Sequence, residues 1–269
     1  MVLAMILILT GATPVGMGDD PCPSPLSVPE PVRTFNAMFL EPGKADLPRL
    51  LALTKDPAFV AYGAEKTARE ADDWAGLCRY RRENEILIAS GKRPRAVFFG
   101  DSITENWVLG DPDLFGGEIV GRGIGGQTSA QMLVRFSQDV IALRPRVVQI
   151  MVGTNDIAGN RGPTRDQDYQ DNVKAMVELA KAHRIRVVLA SIPPAAAFIW
   201  KPEVTPGPRI ARLNAWLADY AHREGLTYLD YHAVLAGPDG AMRRGWSLDG
   251  VHPNRDGYAA MRPLARRVR

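Results

Sequence analysis

The sequence predicts an α/β fold in which a parallel β-sheet is covered by helices on both faces. From residue 95 onward, short apolar runs alternate with longer amphipathic stretches. The apolar runs are rich in β-branched and aromatic residues and nearly continuous, which is typical of buried parallel strands. A strand followed by a helix, repeated along the chain, favours a parallel sheet with right-handed crossover connections.

Five segments are predicted as strands and four as helices. The strand segments are residues 96–99, 118–120, 147–152, 187–192 and 226–231. The helical segments, which have apolar residues three and four positions apart, are residues 129–143, 166–183, 208–224 and 255–268. Pro145 and Gly225 stand before the third and fifth strands, where helix ends are expected.

Three segments precede this alternation. Residues 1–18 are predicted as a signal peptide because they hold an uncharged apolar run. A positive n-region is absent and the cleavage site is poor, so the alternative is a start without regular structure. Residues 19–43 are predicted as a proline-rich extended arm, because proline disfavours helices. Residues 44–94 are predicted as a helical extension that packs on the main domain, residues 95–269.

Composition excludes several classes of protein. The hydrophobic fraction of 46% and the charged fraction of 23% are near the averages of globular proteins, which argues against disorder and against a polytopic membrane protein. The net charge of +3 comes from 33 basic and 30 acidic residues spread along the chain, so no nucleic-acid partner is predicted. We expect an exported protein, periplasmic or secreted, whose mature domain does not insert stably into a membrane, and a cytoplasmic location is the alternative.

Ser102 is a candidate nucleophile. The first predicted strand leads directly into Gly100, Asp101 and Ser102. In open α/β sheets ligands bind outside the carboxyl ends of the strands, and a helix starting there directs N–H groups toward an anion. The alternative is that Asp101 or Ser102 only caps this helix. The G-x-S-x-G motif of α/β-hydrolases is not met, because the second glycine is missing.

His252 is the candidate general base. It lies in a turn-rich segment just before the last predicted helix, and Asp249 stands three residues upstream. A carboxylate at this spacing can hydrogen-bond one ring nitrogen and leave the other for a serine. The alternative is an Asx-turn with a surface histidine. His183 and His222 fall on charged late turns of predicted helices, where histidine interacts with the helix dipole.

Two further loops carry candidate donors for an oxyanion. Residues 123–128, GIGGQT, follow the second strand, and their glycines allow backbone N–H groups to point into the crevice. Such a loop could equally bind a phosphate. Asn155 follows the third strand and offers a side-chain amide, although asparagine after a strand is also an ordinary turn former.

The segments FFGDSIT, GIGGQT, VGTND and DGVHPN occur in this order at the ends of successive predicted elements. Together they resemble the four signature blocks of the SGNH hydrolase superfamily, also called GDSL-like esterases and lipases, with Ile103 where that name has leucine. The resemblance extends from residue 95 to the C-terminus. It implies a flavodoxin-like three-layer α/β/α sandwich with a five-stranded parallel sheet, and serine-dependent hydrolysis of carboxylic esters.

The resemblance also implies a role for each motif residue. Ser102 would be the nucleophile, His252 its base and Asp249 the residue that orients the base. The backbone N–H groups of Ser102 and Gly126 and the side chain of Asn155 would form the oxyanion hole. Gly126 is assigned because it immediately precedes the Gln-Thr pair of its block.

Other functions remain open at this stage. One alternative is a catalytically silent carbohydrate-binding or scaffold domain, and another is metal-dependent hydrolysis with Asp101, Asp156, Asp249 and His252 as ligands. No H-E-x-x-H pattern occurs, and no metal or cofactor is predicted. The expected substrate is a small-molecule or saccharide ester with a small acyl group. Lysophospholipase or thioesterase specificity is the alternative, because the family's substrates include acetylated sugars, lysophospholipids, thioesters and aryl esters.

Specificity is expected to depend on a long loop, residues 192–208, which follows the fourth strand and carries Phe198 and Trp200. These aromatic residues could stack on a sugar or line an acyl pocket, and the alternative is that they pack on the extension. The chain has two cysteines, Cys22 in the arm and Cys78 in the extension. An exported protein could join them in a disulfide, whereas otherwise Cys78 would be a small core residue and Cys22 a free thiol.

Overall fold

The computed structural model of this chain describes residues 21–43 and 46–268. The predicted signal peptide, residues 1–18, lies outside the described residues. The N-terminal helices are α1 (Glu30–Leu40), α2 (Leu47–Thr54), α3 (Pro57–Asp72) and α4 (Arg81–Ala89). The strands are β1 (Ala96–Gly100), β2 (Ile119–Gly123), β3 (Val147–Met151), β4 (Arg186–Ala190) and β5 (Thr227–Leu229). The remaining helices are α5 (Ser102–Gly110), α6 (Pro112–Phe115), α7 (Ser129–Phe136), α8 (Thr154–Ala158), α9 (Asp166–Ala182), α10 (Gly207–Arg223), α11 (Tyr231–Leu235) and α12 (Arg255–Ala265), and a π-helical segment, Ser137–Ile141, continues α7.

The five strands form one parallel sheet in the order β2-β1-β3-β4-β5. This confirms the predicted α/β fold with a five-stranded parallel sheet and a helical N-terminal region. The chain leaves β1 in one direction to form β2 and returns to the other side of β1 to form β3. A crevice opens at such a reversal, outside the carboxyl ends of β1 and β3, and it is the usual position of a ligand site.

Alternate side chains of β1 point to the two faces of the sheet and enter separate cores. Val97 and Phe99 pack with α7, α9 and α10 in one core. Ala96 and Phe98 pack in the other with α5, α11 and α12. All five residues of β1 are buried, which explains why this strand is a continuous apolar run rather than an alternating one.

The structure corrects the prediction of an extended arm over residues 19–43, because helix α1 lies within that segment. Pro31 stands in the first turn of α1, where a missing N–H breaks no intrahelical hydrogen bond. Val32 and Leu40 of α1 are buried, and Leu40 belongs to the core that contains α5 and α12. The prediction was wrong because it relied on proline content alone. Helix α1 is stabilised by packing on the main domain.

The structure contains a disulfide between Cys22 and Cys78, an interaction that the sequence left open. The bridge joins the segment before α1 to the turn before α4. Arg161 adds an ion pair to Glu70 of α3 at 2.7 Å, so the extension is tied to the main domain as well as to itself.

Among the residues that the structure describes, no helix is both long enough and apolar enough to cross a membrane.

Reduction of the bridge between Cys22 and Cys78 is expected to destabilise the extension. In the chain-entropy model, closing a loop with a sequence separation of 56 stabilises the folded state by about 4 kcal/mol. We expect the Tm of the reduced protein, or of a Cys22→Ser/Cys78→Ser variant, to fall, with a smaller change in activity because the motif residues lie outside the bridged loop. Thiol titration of unreduced, denatured protein should detect no thiol, and two thiols per chain would contradict the bridge.

Candidate active site

Ser102 is the first residue of α5, directly after β1. Asp101 precedes it as the helix cap, and its carboxylate accepts the backbone N–H of Ile103 at 3.0 Å. The N-terminus of α5 therefore lies at the crevice predicted from the strand order. The backbone N–H of Ser102 belongs to the first turn, where helix N–H groups have no intrahelical acceptor.

The turn that presents Ser102 depends on two glycines. A Cβ atom on Gly100 would lie 2.0 Å from Oγ1 of Thr104, and one on Gly123 would lie 2.1 Å from the backbone nitrogen of Glu105. Both distances are far below contact distance, so α5 can begin this close to β1 and β2 only because these residues lack side chains.

Ser102, His252 and Asp249 form an unbroken hydrogen-bonded chain. Oγ of Ser102 lies 2.8 Å from Nε2 of His252, although the two residues are 150 positions apart. Nδ1 of His252 lies 2.7 Å from Oδ2 of Asp249. The other carboxylate oxygen of Asp249 accepts the backbone N–H groups of Val251 and His252, each at 2.9 Å. One tight turn thus holds the carboxylate and the imidazole in fixed relation.

The electrostatics of this chain suit a general base. Burial raises the pKa of Asp249, but hydrogen bonds from His252 and from backbone N–H groups outweigh it and lower that pKa to about 2. Burial lowers the pKa of His252, but the hydrogen bond to Asp249 and its negative charge outweigh it and raise the pKa above the usual imidazole value. Asp249 therefore stays ionised over the range in which His252 gains and loses its proton.

The glycine loop after β2 borders the same crevice. The N–H of Gly125 donates to Oε2 of Glu105 at 2.8 Å and is therefore occupied. Gly126 follows with a φ of +77°, a conformation that favours glycine. These two observations favour Gly126 over Gly125 as a donor to a bound anion.

Asn155 is buried in α8, directly after β3. Its Nδ2 donates to the backbone carbonyl of Gln127 at 3.0 Å and to Oδ2 of Asp101 at 3.3 Å. The amide therefore faces the crevice between the two loops that carry Ser102 and Gly126. The bond to Asp101 is the longer of the two, and it is the one that a substrate oxygen could most easily share.

Asp101 has an environment opposite to that of Asp249. Burial raises the pKa of Asp101 to about 6, and the bond from Ile103 and the charge of His252 only partly offset it. Asp101 thus titrates close to the pH range in which His252 changes charge.

Two aromatic rings flank His252. The ring of Phe39, from α1, lies 6.5 Å from the imidazole centroid, and that of Trp200 lies 6.2 Å from it. Trp200 belongs to the long loop that the sequence linked to specificity, and it stacks on buried Phe198. Phe39 was missed because its segment was interpreted as an extended arm.

A buried charge beneath the crevice was also missed. The guanidinium of Arg135 is fully buried and donates to the backbone carbonyl of Gly100 at 2.8 Å, to Oε1 of Gln127 at 2.6 Å and to Asp139 at 2.9 Å. The sequence pattern does not reveal these partners, because Arg135 and Asp139 resemble an ordinary surface pair four residues apart on a helix. The amide of Gln127 in turn donates to the backbone carbonyl of Ala75, in the extension, at 2.8 Å.

The carboxylates considered as metal ligands have other partners. Asp156 accepts the backbone N–H of Ser129 at 2.9 Å and its hydroxyl at 2.5 Å, which joins α8 to the start of α7. Within the described part of the chain, no group of three or more histidine, cysteine, aspartate or glutamate side chains is arranged to hold a metal ion.

Comparison with known proteins identifies relatives of the whole domain. Residues 98–260 match the family model of the GDSL-like Lipase/Acylhydrolase family. A candidate acylhydrolase from Bacteroides fragilis NCTC 9343 is 42% identical, with a TM-score of 0.67, over 73% of this chain and 99% of that chain. A GDSL-like lipase from Bacteroides thetaiotaomicron VPI-5482 is 40% identical, with a TM-score of 0.67, over 72% of this chain and 96% of that chain.

More distant similarities include an esterase and a lipoprotein. The structure of an acetyl xylan esterase is 26% identical, with a TM-score of 0.51, over 64% of this chain and 96% of that chain. An uncharacterized lipoprotein of Bacillus subtilis (strain 168) is 30% identical over 116 residues, which are 36% of this chain and 48% of that protein. The chain therefore spans about half the length of this curated relative.

The pH dependence of kcat/KM should report the ionisation of His252. A general base must be neutral, so activity should rise with pH through the raised pKa of His252, with a midpoint above the ordinary imidazole value of about 6.5. Asp249→Asn removes the charge that raises this pKa, so the midpoint should move to lower pH while kcat falls by roughly 10⁴. Asp168→Asn, an exposed control, should change neither. An unchanged midpoint in Asp249→Asn would contradict this coupling.

Proposed function

Because the chain belongs to the GDSL-like lipase/acylhydrolase family, we propose that it hydrolyses carboxylic esters through an acyl-enzyme formed on Ser102. The observation that carries this proposal is the chain from Ser102 to His252 to Asp249, with distances of 2.8 and 2.7 Å. This arrangement lets the imidazole take the hydroxyl proton as the serine oxygen attacks an ester carbonyl.

The reaction proceeds in two half-reactions. Oγ of Ser102 bonds to the carbonyl carbon, Nε2 of His252 takes the proton, and the carbonyl oxygen becomes an oxyanion. The bond to the alcohol oxygen then breaks, and the alcohol leaves with the proton from His252. Water attacks the acyl-enzyme with His252 again as base, and the carboxylic acid leaves as Ser102 is restored.

The oxyanion is stabilised by three donors in this proposal. They are the backbone N–H groups of Ser102 and Gly126 and the side-chain amide of Asn155. The open first turn of α5, the positive φ of Gly126 and the long bond from Asn155 to Asp101 support this assignment. Such donors act most strongly where charge develops in the transition state.

Removal of the nucleophile tests the proposed reaction directly. Ser102→Ala should lower kcat for p-nitrophenyl acetate by roughly 10⁴ or more and leave the circular dichroism spectrum unchanged, because the three residues act as a unit. An organophosphonate should label the wild-type chain at Ser102 and leave Ser102→Ala unlabelled, whereas Ser137→Ala, an exposed control, should react normally. A wild-type chain that is neither active nor labelled would instead be a silent binding domain.

We propose a substrate with a small acyl group and a saccharide or similar alcohol. His252 returns its proton to the leaving alcohol, so groups beside His252 contact the alcohol side of the ester. The rings of Phe39 and Trp200 lie there and offer flat apolar faces. The similarity to an acetyl xylan esterase supports the same assignment. Lysophospholipase or thioesterase specificity is the alternative.

Phe39→Ala tests contact with the alcohol. We expect its KM for an acetylated xylo-oligosaccharide to rise by about 3- to 10-fold, as loss of one aromatic contact predicts, and its KM for methyl acetate to stay within about twofold. Phe59→Ala is the matched control, because Phe59 joins the same aromatic cluster through Phe35, whereas Phe39 is the member that contacts His252. Equal changes for both esters would contradict contact with the alcohol and indicate a loosened α1.

We also propose that the protein is exported. A disulfide between Cys22 and Cys78 is typical of oxidising compartments. The Bacillus subtilis relative is a lipoprotein by name, which supports the same location.

A further inference from the structure

A hydrogen-bonded relay runs from the long loop after β4 into the crevice. The indole Nε1 of Trp200 donates to Oδ1 of Asn160 at 3.0 Å. Nδ2 of Asn160 donates to Oδ1 of Asn155 at 2.6 Å. The backbone N–H of Asn160 also donates to the backbone carbonyl of Asn155 at 3.1 Å, which holds the two residues side by side.

The first member of the relay determines the orientation of the other two. An indole N–H can only donate, so the atom of Asn160 that faces Trp200 must be its carbonyl oxygen. The amino group of Asn160 then faces Asn155, and Asn155 must direct its own oxygen toward Asn160 and its amino group into the crevice. The acceptors on the crevice side, Gln127 and Asp101, favour the same orientation.

Trp200 has contacts that fix its ring independently of this hydrogen bond. The ring stacks on Phe198 with centroids 5.2 Å apart and an interplanar angle of 24°. It also faces His252 and is 37% exposed. The indole N–H therefore takes part in the relay, while the face of the ring lies beside His252. A substitution that removes the N–H and keeps an aromatic ring tests the first of these contributions.

We propose that Asn160 and Trp200 are positioning residues that orient and strengthen Asn155 as the oxyanion donor. This inference rests on the proposed function, because it takes Asn155 as a donor to the oxyanion. A hydrogen bond into the carbonyl end of an amide polarises the group and strengthens its N–H donors. The gain is largest in the transition state, where the substrate oxygen carries the most charge, so the relay acts on kcat rather than on KM.

Asn160→Asp is the sharpest single substitution because it keeps the size of the side chain and the acceptor for Trp200. It replaces the donor to Asn155 by a carboxylate oxygen, which repels Oδ1 of Asn155. The expected loss in kcat for p-nitrophenyl acetate is about tenfold or more, because a buried acceptor then faces another acceptor. Trp200→Phe keeps an aromatic ring but removes the N–H together with the five-membered ring, and it should lower kcat by about 3- to 10-fold, as loss of one hydrogen bond predicts.

A double-mutant cycle with Asn155 decides whether these residues act through it. Asn155→Ala alone should lower kcat by about 10²–10³ with a smaller effect on KM. In that background, Trp200→Phe should cause no further loss, because the group that the relay orients is absent, and Asn160→Asp should keep only the loss that its added negative charge causes at the oxyanion. Losses of equal size in both backgrounds would overturn the relay, as would an Asn160→Asp protein with wild-type kcat.

Two controls distinguish loss of the relay from general damage to the protein. Trp74→Phe removes another indole, on the exposed surface of the extension, and should leave kcat unchanged. Complete labelling of Ser102 by an organophosphonate in each variant shows that the fold and the nucleophile remain intact. Wild-type kcat in Asn155→Ala would overturn the oxyanion assignment and the relay together, whereas additive losses beside an impaired Asn155→Ala would overturn the relay alone.

Discussion

The guanidinium of Arg135, buried beneath the crevice, bonds both to the end of β1 and to the loop after β2. A buried charge is tolerated only while its hydrogen bonds are satisfied, and removal of one partner typically costs about 3–5 kcal/mol. Gly100, which turns the chain toward Ser102, and Gln127, which follows Gly126, are both partners of this charge. The relative position of Ser102 and the proposed oxyanion loop therefore depends on the hydrogen bonds of Arg135, although neither Ser102 nor Gly126 takes part in them.

Two aspartates at the site have pKa values shifted in opposite directions because their surroundings differ. Asp249 is surrounded by donors, namely an imidazole, two backbone N–H groups and the hydroxyl of Ser247, and its pKa falls to about 2. Asp101 is more deeply buried and has fewer donors, and its pKa rises to about 6. A permanently charged carboxylate suits the orientation of a base. Asp101 instead caps α5 and accepts from Asn155, so it belongs to the support of the crevice.

The N-terminal region before β1, which includes α1 and the helical extension, borders the candidate site. Its helix α1 places Phe39 against His252, and the backbone carbonyl of Ala75 holds the amide of Gln127. The disulfide between Cys22 and Cys78 closes this region into one loop. Under the proposed function, specificity on the alcohol side would therefore depend on a segment that precedes all four sequence motifs.

The sequence by itself predicted the parallel α/β fold and named Ser102, Asp249, His252 and Asn155 as candidates, because periodicity and local motifs depend on residues close together in the chain. Gly126 was assigned through the resemblance to the SGNH hydrolase superfamily. Their roles stay predictions until they are tested. Only the tertiary structure revealed helix α1, the disulfide, the buried Arg135 and the relay through Asn160 and Trp200. Each of these depends on side chains from segments far apart in the chain, or on packing against them, and no one-dimensional spacing encodes which distant donor will face which acceptor.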